Sequence, residues 1–177
     1  MTYPPVPPEP SLPAGFAPAP SDMDTLVQIP FTFCSQKVMF RAEQHTAQTL
    51  TAASYTQVHF DTITEDPYGG WDGTNFWWLC PAGCEGWYEV TLVASAANVA
   101  TNTAQVQAVL FLTGTKYVTM SADWGCNGSS SLAAGSATVY LAGGSDNIAG
   151  YVFSTTGTTT SSTAGQYCTM QAVWVSS

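Results

Sequence analysis

Two histidines, His45 and His59, and a few loop carboxylates hold most of the reactive chemistry open to this chain. A nucleophilic triad needs a Ser or Cys beside a His that a carboxylate orients. The sequence contains no G-x-S-x-G elbow, no P-loop, no dinucleotide fingerprint and no H-E-x-x-H. His59 stands next to Phe60-Asp61 and alternates with Tyr55, Gln57 and Asp61, which makes it an outward-facing strand residue. Glu65, Asp66, Asp72 and Asp123 are the carboxylates nearest loops. Two carboxylates can hydrolyse a glycoside, and several can bind Ca²⁺ with backbone carbonyls. Asp66 and Asp72 share one Gly-rich loop but lack EF-hand spacing, so turn formation explains them better. The five cysteines, Cys34, Cys80, Cys84, Cys126 and Cys168, form no zinc-ligand pattern. Their odd count argues against a fully paired disulfide framework, and most read as buried reduced thiols. No catalytic residue, cofactor or metal site is expected, and the chain reads as a non-enzyme.

Aromatic residues offer a second kind of chemistry. Trp71, Trp77, Trp78, Trp87 and Trp124 present large apolar faces that could stack on sugars. Trp71, Asp72 and Trp124 are the candidate ligand-loop residues, on loops at 64–74, 123–131 and 156–166, and a host-surface glycan is the candidate ligand. Packing competes with this reading. Trp77 and Trp78 are adjacent in an expected strand, so at least one must point inward.

The elements that position these residues are strands. Tyr88, Val90, Leu92 and Ala94 alternate with Glu89, Thr91 and Ser95. Val106, Ala108, Leu110 and Leu112 alternate with Gln105, Gln107 and Phe111, and Ala137, Val139 and Leu141 with Ser136, Thr138 and Tyr140. Period two sustained over such runs predicts half-buried antiparallel strands. About nine are expected, at 38–44, 55–62, 75–79, 87–96, 105–113, 116–122, 136–142, 147–155 and 168–175, the spacing of a sandwich or barrel. Turn signals separate them, among them Asp66-Pro67, Gly69-Gly70, Gly114 and Gly143-Gly144, the last read as a tight hairpin. No amphipathic helix is expected.

Only 8% of the 177 residues are charged, against roughly 25% in an average soluble domain. Thr and Ser fill the difference and suit pleated surfaces. Scarce charge also marks surfaces that other subunits cover. The net charge of −9 repels phosphate backbones and anionic lipids, so neither nucleic acid nor membrane is an expected partner. The first 20 residues hold 8 of the 11 prolines and cannot form a helix or central strand. They are expected to be extended. Residues 1–35 are therefore read as a Pro-rich arm and linker, and 36–177 as one β-sandwich domain large enough for its own core.

A further pattern runs through the body. Phe60-Asp61-Thr62 precedes Trp71-Asp72-Gly73, then Phe76, Pro81-Ala82-Gly83 and Gly86-Trp87-Tyr88. Later Val139-Tyr140-Leu141-Ala142-Gly143-Gly144-Ser145-Asp146 leads into Ile148–Phe153. Over roughly residues 38–175 this order resembles the jelly-roll family shared by tumour necrosis factor and the complement globular heads. Cys84-Glu85 and Ser145 depart from the family's motifs. The resemblance implies an all-β antiparallel jelly-roll sandwich and a homotrimer packed about a threefold axis through aromatic side chains. Tyr140, Tyr151 and Phe153 are the candidate axis residues.

Together the arm, the compact body, the low charge and the implied trimer fit a bacteriophage virion component. The expected role is a capsid decoration protein on the outer surface of the capsid. It would dock on the major capsid protein or another virion protein through Tyr3, Pro4, Pro5, Pro7, Pro8, Leu12 and Phe16. A receptor- or glycan-binding head-fibre or tail-tip module is the alternative.

Overall fold

The structure, a computed structural model, describes residues 39–97, 99, 104–124, 130–161 and 167–176, with backbone alone at Met39 and Trp124. The expected arm and its docking residues from Tyr3 to Phe16 lie outside the described residues. The described residues form thirteen strands and no helix: β1 (Met39–Gln44), β2 (Thr49–Leu50), β3 (Ser54–Gln57), β4 (Thr62–Glu65), β5 (Trp71–Asp72), β6 (Trp77–Leu79), β7 (Gly86–Ala97), β8 (Gln105–Leu112), β9 (Thr115–Trp124), β10 (Ser131–Leu141), β11 (Asn147–Ser154), β12 (Thr158–Thr160) and β13 (Cys168–Ser176).

All pairings are antiparallel and build two sheets. Sheet one runs β10-β7-β13-β1-β4, with β12 and β2 continuing it beyond the end of β13. Sheet two runs β9-β8-β11, and β3 and β6 share the free edge of β11, with β5 outside β6. The sheets face each other as a jelly-roll sandwich. Phe40, Tyr88, Leu92 and Met170 from sheet one and Trp78, Leu110, Ile148 and Val152 from sheet two belong to one buried core. Alternation explains the placement: along β7 Tyr88, Val90 and Leu92 are inside, and Trp87, Glu89 and Thr91 are outside.

Pro81 follows the end of β6 in sheet two, and β7 opens in sheet one, so residues 80–85 carry the chain between sheets. Gly86 makes that corner possible, since its φ is +151° and a Cβ there would lie 2.4 Å from the Ser176 carbonyl oxygen. Gly135 does similar service at the other edge, where a Cβ would meet the Met120 oxygen at 2.6 Å. A bare backbone there lets β9 and β10 close the sandwich.

The expected nine strands become thirteen, and two expectations about topology change. The strand expected at 55–62 is two, β3 in sheet two and β4 in sheet one, with 58–61 crossing between them. Val58 and Phe60 stay buried through the crossing, so the alternation continues although the ladder does not. Gly143-Gly144 is not a hairpin turn. It links β10 of sheet one to β11 of sheet two, and Ala142 NH donates to Asp146 Oδ2 at 2.9 Å to shape the corner.

Candidate functional site

Trp71 owes its position to Asp66. The Asp66 carboxylate accepts hydrogen bonds from Gly70 NH at 3.0 Å, Trp71 NH at 2.9 Å and Trp78 Nε1 at 3.2 Å. One side chain thus gathers the loop before β5, and Trp71 stacks on Phe40 with centroids 5.4 Å apart. Asp72 is occupied otherwise. It accepts from Thr74 NH, Asn75 NH and Asn75 Nδ2 at 2.7–3.1 Å. The Asn75 side chain, then the two backbone groups, hold its carboxyl below the usual value. Asp72 is the cap of a turn, the reading favoured from its type. Trp124 does not join Trp71. It ends β9 opposite Gln105, whereas Trp71 pairs through Trp78 to Ile148 near the other end of β11. The expected ligand residues therefore lie at opposite edges of sheet two.

Trp71 instead lines a cleft of about 530 Å³ with Gln44, Gln48, His59, Asp61 and Phe76 among its walls. The β1–β2 connection forms one wall and the β5–β6 turn the other. His59 stacks flat on Phe76, centroids 3.8 Å apart and planes 11° from parallel. Partial burial lowers the His59 pKa. Phe76 adopts φ of +56°, a costly conformation for a bulky residue. Gln57 Nε2 secures it by donating to the Phe76 oxygen at 3.0 Å.

Asp61 accepts His45 NH at 2.9 Å and Thr46 NH at 2.8 Å. Burial pushes its carboxyl up, but these bonds outweigh that and leave it below the usual value. Gln44 donates to Gln48 Oε1 at 2.9 Å, and Gln48 Nε2 donates to the Gln57 oxygen at 2.8 Å. Gln44 is 1% exposed, and its Oε1 has no hydrogen-bond partner. Sequence reasoning missed Gln44, Gln48 and Phe76. One signal was available for Gln44: it follows Phe40 and Ala42 at the inward positions of β1, where a polar residue breaks the pattern.

The expected axis aromatics also separate. Tyr140 points outward from sheet one, edge to face with Trp87 at 5.6 Å. Tyr151 and Phe153 point outward from sheet two, where Tyr151 stacks on Phe111 at 3.9 Å and Phe153 lies 5.1 Å from Tyr55. Lys116 caps that group, its Nζ donating to Tyr55 Oη at 2.7 Å. The structure brings Tyr151 and Phe153 together and leaves Tyr140 on the opposite face.

Cys80, Cys84 and Cys168 are free and buried. Tyr88 Oη donates to the Cys84 oxygen at 2.6 Å, and Cys80 Sγ donates to the same oxygen at 3.2 Å. Burial pushes the Cys84 thiol up to about 11 and that of Cys168 to about 12. Such thiols stay protonated at neutral pH and pack as small apolar groups. Among the described residues, no three His, Cys, Asp or Glu side chains come together in a metal-binding group.

No protein-family model and no curated protein matches the sequence. Solved structures do match. The globular domain of zebrafish complement 1qA is similar at 14% identity and a TM-score of 0.55, covering 79% of this chain and 98% of that one. Eiger TNF from S. frugiperda is similar at 9% identity and a TM-score of 0.56, over 80% of this chain and 94% of that one. Murine APRIL is similar at 9% identity and a TM-score of 0.55, over 78% of this chain and 99% of that one. The body therefore has the jelly-roll fold of tumour necrosis factor and complement globular domains.

Proposed function

We propose that this chain is a non-enzymatic structural protein of a phage virion, a homotrimeric decoration protein that docks on the capsid through its Pro-rich N-terminal arm. The observation that supports this most is the outer surface of sheet one. Trp87, Leu132, Tyr140 and Val175 are 44–55% exposed there. Glu89 is the one charged residue among the described outward positions of β7, β10 and β13. Exposed apolar side chains at both ends of the face, with Thr and Ser between them and a single charge, suit a surface that another subunit covers. Tyr117, 46% exposed on β9, donates its hydroxyl to the Thr138 oxygen and extends this surface around the β9–β10 edge.

A second copy is the occupant this surface fits. The β9–β10 edge of one copy against the β7–β13 face of the next is a head-to-tail contact, and such contacts form a ring when the rotation between copies closes. The trimer that the family resemblance implies is such a ring. β1, the first described strand after the arm, begins at Met39, which pairs with Val173, itself opposite Glu89. That is the Trp87–Tyr140 end of sheet one, so three arms would leave a trimer from the same end. Clustered arms raise one another's effective concentration at the shell, which strengthens docking without new contacts.

Two measurements test the reading. Sedimentation of the full chain is expected to give three times the chain mass, and a monomer at micromolar concentration would overturn the trimer. Deleting residues 1–20 is expected to leave a folded trimer that no longer joins particles. Normal incorporation of that truncation would overturn the docking role.

A further inference from the structure

The cleft beside Trp71 shares no lining residue with the proposed trimer surface. It opens at the edge of the sandwich where β5 lies, and its β1–β2 wall follows Gln44, at the opposite end of β1 from Met39. We infer that this cleft is a binding site for a neutral sugar, with the ring of one hexose unit against Trp71 and its hydroxyls on Asp61 and the Gln44–Gln48 pair.

Size comes first. At about 530 Å³ the cleft falls inside the range of roughly 300–1,000 Å³ typical of small-ligand sites. A mono- or disaccharide fits such a space.

The lining chemistry then selects the ligand. Sugars present C–H faces and hydroxyl edges, so they need a rigid aromatic plate beside fixed acceptors and donors. Trp71 is rigid because Phe40 stacks on it and Asp66 holds its backbone. The His59–Phe76 stack adds a second apolar wall. Asp61 lines the cleft, and its Oδ2, which accepts Thr46 NH, is a carboxylate oxygen with more than one lone pair to offer. Gln44 also lines the cleft, and its Oε1 is buried with no protein partner. A buried acceptor left unpaired is costly, and a ligand hydroxyl, or the water beneath it, supplies the missing donor.

Charge excludes the main competitors. Among the described residues no Lys or Arg lines the cleft, and Asp61 does. Arg41 pairs with Glu43, and Lys116 sits on Tyr55 on the outer face of sheet two. Sialic acids and phosphorylated ligands would meet a carboxylate with no compensating cation. A purely apolar ligand would leave Gln44 Oε1 unpaired and cover a charged Asp61.

The test uses the full chain and methyl glycosides of glucose, galactose, mannose and N-acetylglucosamine, with N-acetylneuraminic acid as the anionic probe. In proton–nitrogen spectra, at least one neutral glycoside is expected to shift the Trp71 indole N–H and the Gln44 and Gln48 side-chain amides at millimolar concentration. N-acetylneuraminic acid is expected to leave them unmoved. Two variants keep the test clear of misfolding. Gly73→Leu fills the mouth from a position where a Cβ meets only Trp71 Nε1, at an ordinary 3.5 Å. It is expected to weaken binding about 10-fold or more at unchanged Tm. Gln44→Met removes the orphan acceptor at similar volume, and is expected to weaken binding without lowering Tm by more than a few degrees. Three results would overturn the site: no neutral glycoside shifting these resonances at about 50 mM, undiminished binding by Gly73→Leu, or equal binding of N-acetylneuraminic acid. None of these bears on the sedimentation result, so the trimer and the sugar site fail separately.

Discussion

On the outer face of sheet two, Phe111 lies flat against Tyr151, and Tyr55 reaches both Phe111 and Phe153. On the outer face of sheet one, Trp87 and Tyr140 meet only edge to face and stay 44% and 46% exposed. Both faces are aromatic, but only the first covers its own rings. Three of its four rings are half-buried by their neighbours, and Lys116 closes over the fourth. The lesson is that aromatic content does not locate an interface. What matters is whether the rings already have partners inside one copy. By that standard sheet one carries the unfinished surface.

The largest expected effect breaks this contrast directly. A carboxylate buried at a subunit contact without a partner is strongly unfavourable. Trp87→Glu and Tyr140→Glu are expected to convert the proposed trimer to a monomer with little loss of monomer stability, since both side chains project from the body. Sedimentation and thermal melts read the two quantities separately. A trimer that survives both substitutions would move the interface off sheet one. Phe153→Glu, the matching change on sheet two, is expected to lower Tm and leave the subunit number unchanged.

Next in size is Phe111→Ala, which removes the ring shared by Tyr55 and Tyr151. Loss of a half-buried ring and its stacking is expected to cost about 2 kcal/mol, read as a shift in the urea midpoint. A cost under about 0.5 kcal/mol would mean that the sheet-two cluster stabilises nothing and is as open to partners as sheet one.

Alkaline pH sharpens the comparison further. Burial raises the Tyr151 pKa above its ordinary value of about 10. The folded protein then holds the phenol proton more tightly than the unfolded chain does. Its contribution is fully present below about pH 10 and is lost as pH rises toward the folded-state pKa. Tyr88, buried in the core and bonded to the Cys84 oxygen, is raised in the same direction, by burial first. Stability is expected to fall above pH 10, and Tyr151→Phe and Tyr88→Phe should each flatten part of that fall. An unchanged slope in Tyr151→Phe would show that the sheet-two rings are open to water.

The sequence spoke clearly where alternation coincides with burial. β7, β8 and β11 fall within a residue or so of their expected bounds because Tyr88-Val90-Leu92, Val106-Ala108-Leu110 and Ile148-Val152 all face one core. β10 begins at Ser131, five residues before its expected start, because Ala133 and Gly135 are too small to show a pattern. β5 and β12 are two and three residues long and give no period at all. The division of Tyr140 from Tyr151 was hidden because alternation reveals inside from outside but not which sheet a strand joins. The cleft was half legible. Trp71 stood out by type and Gln44 by its inward register. The approach of Phe76 to His59 depends on a left-handed backbone that no side-chain pattern announces.

The smallest effect separates backbone from side chain on sheet two. The β8–β9 hairpin turns at Thr113 and Gly114, with φ of +45° and +74°. Positive φ at both central residues is the type I′ geometry, whose twist matches the strands it joins. Glycine tolerates it, but a β-branched threonine does not. Thr113 holds its place through its NH, which donates to the Asn147 oxygen at 2.9 Å, and through a weak hydroxyl contact to Asp146 at 3.4 Å. Asn-Gly is the pair this turn prefers. Thr113→Asn keeps the NH bond, relieves the strain and is expected to stabilise by about 0.5 kcal/mol, raising Tm by about 2 °C. A drop in Tm instead would mean that the Thr113 hydroxyl, through Asp146, holds the β10–β11 corner against this hairpin. The end of sheet two would then depend on a side-chain contact rather than on its turn.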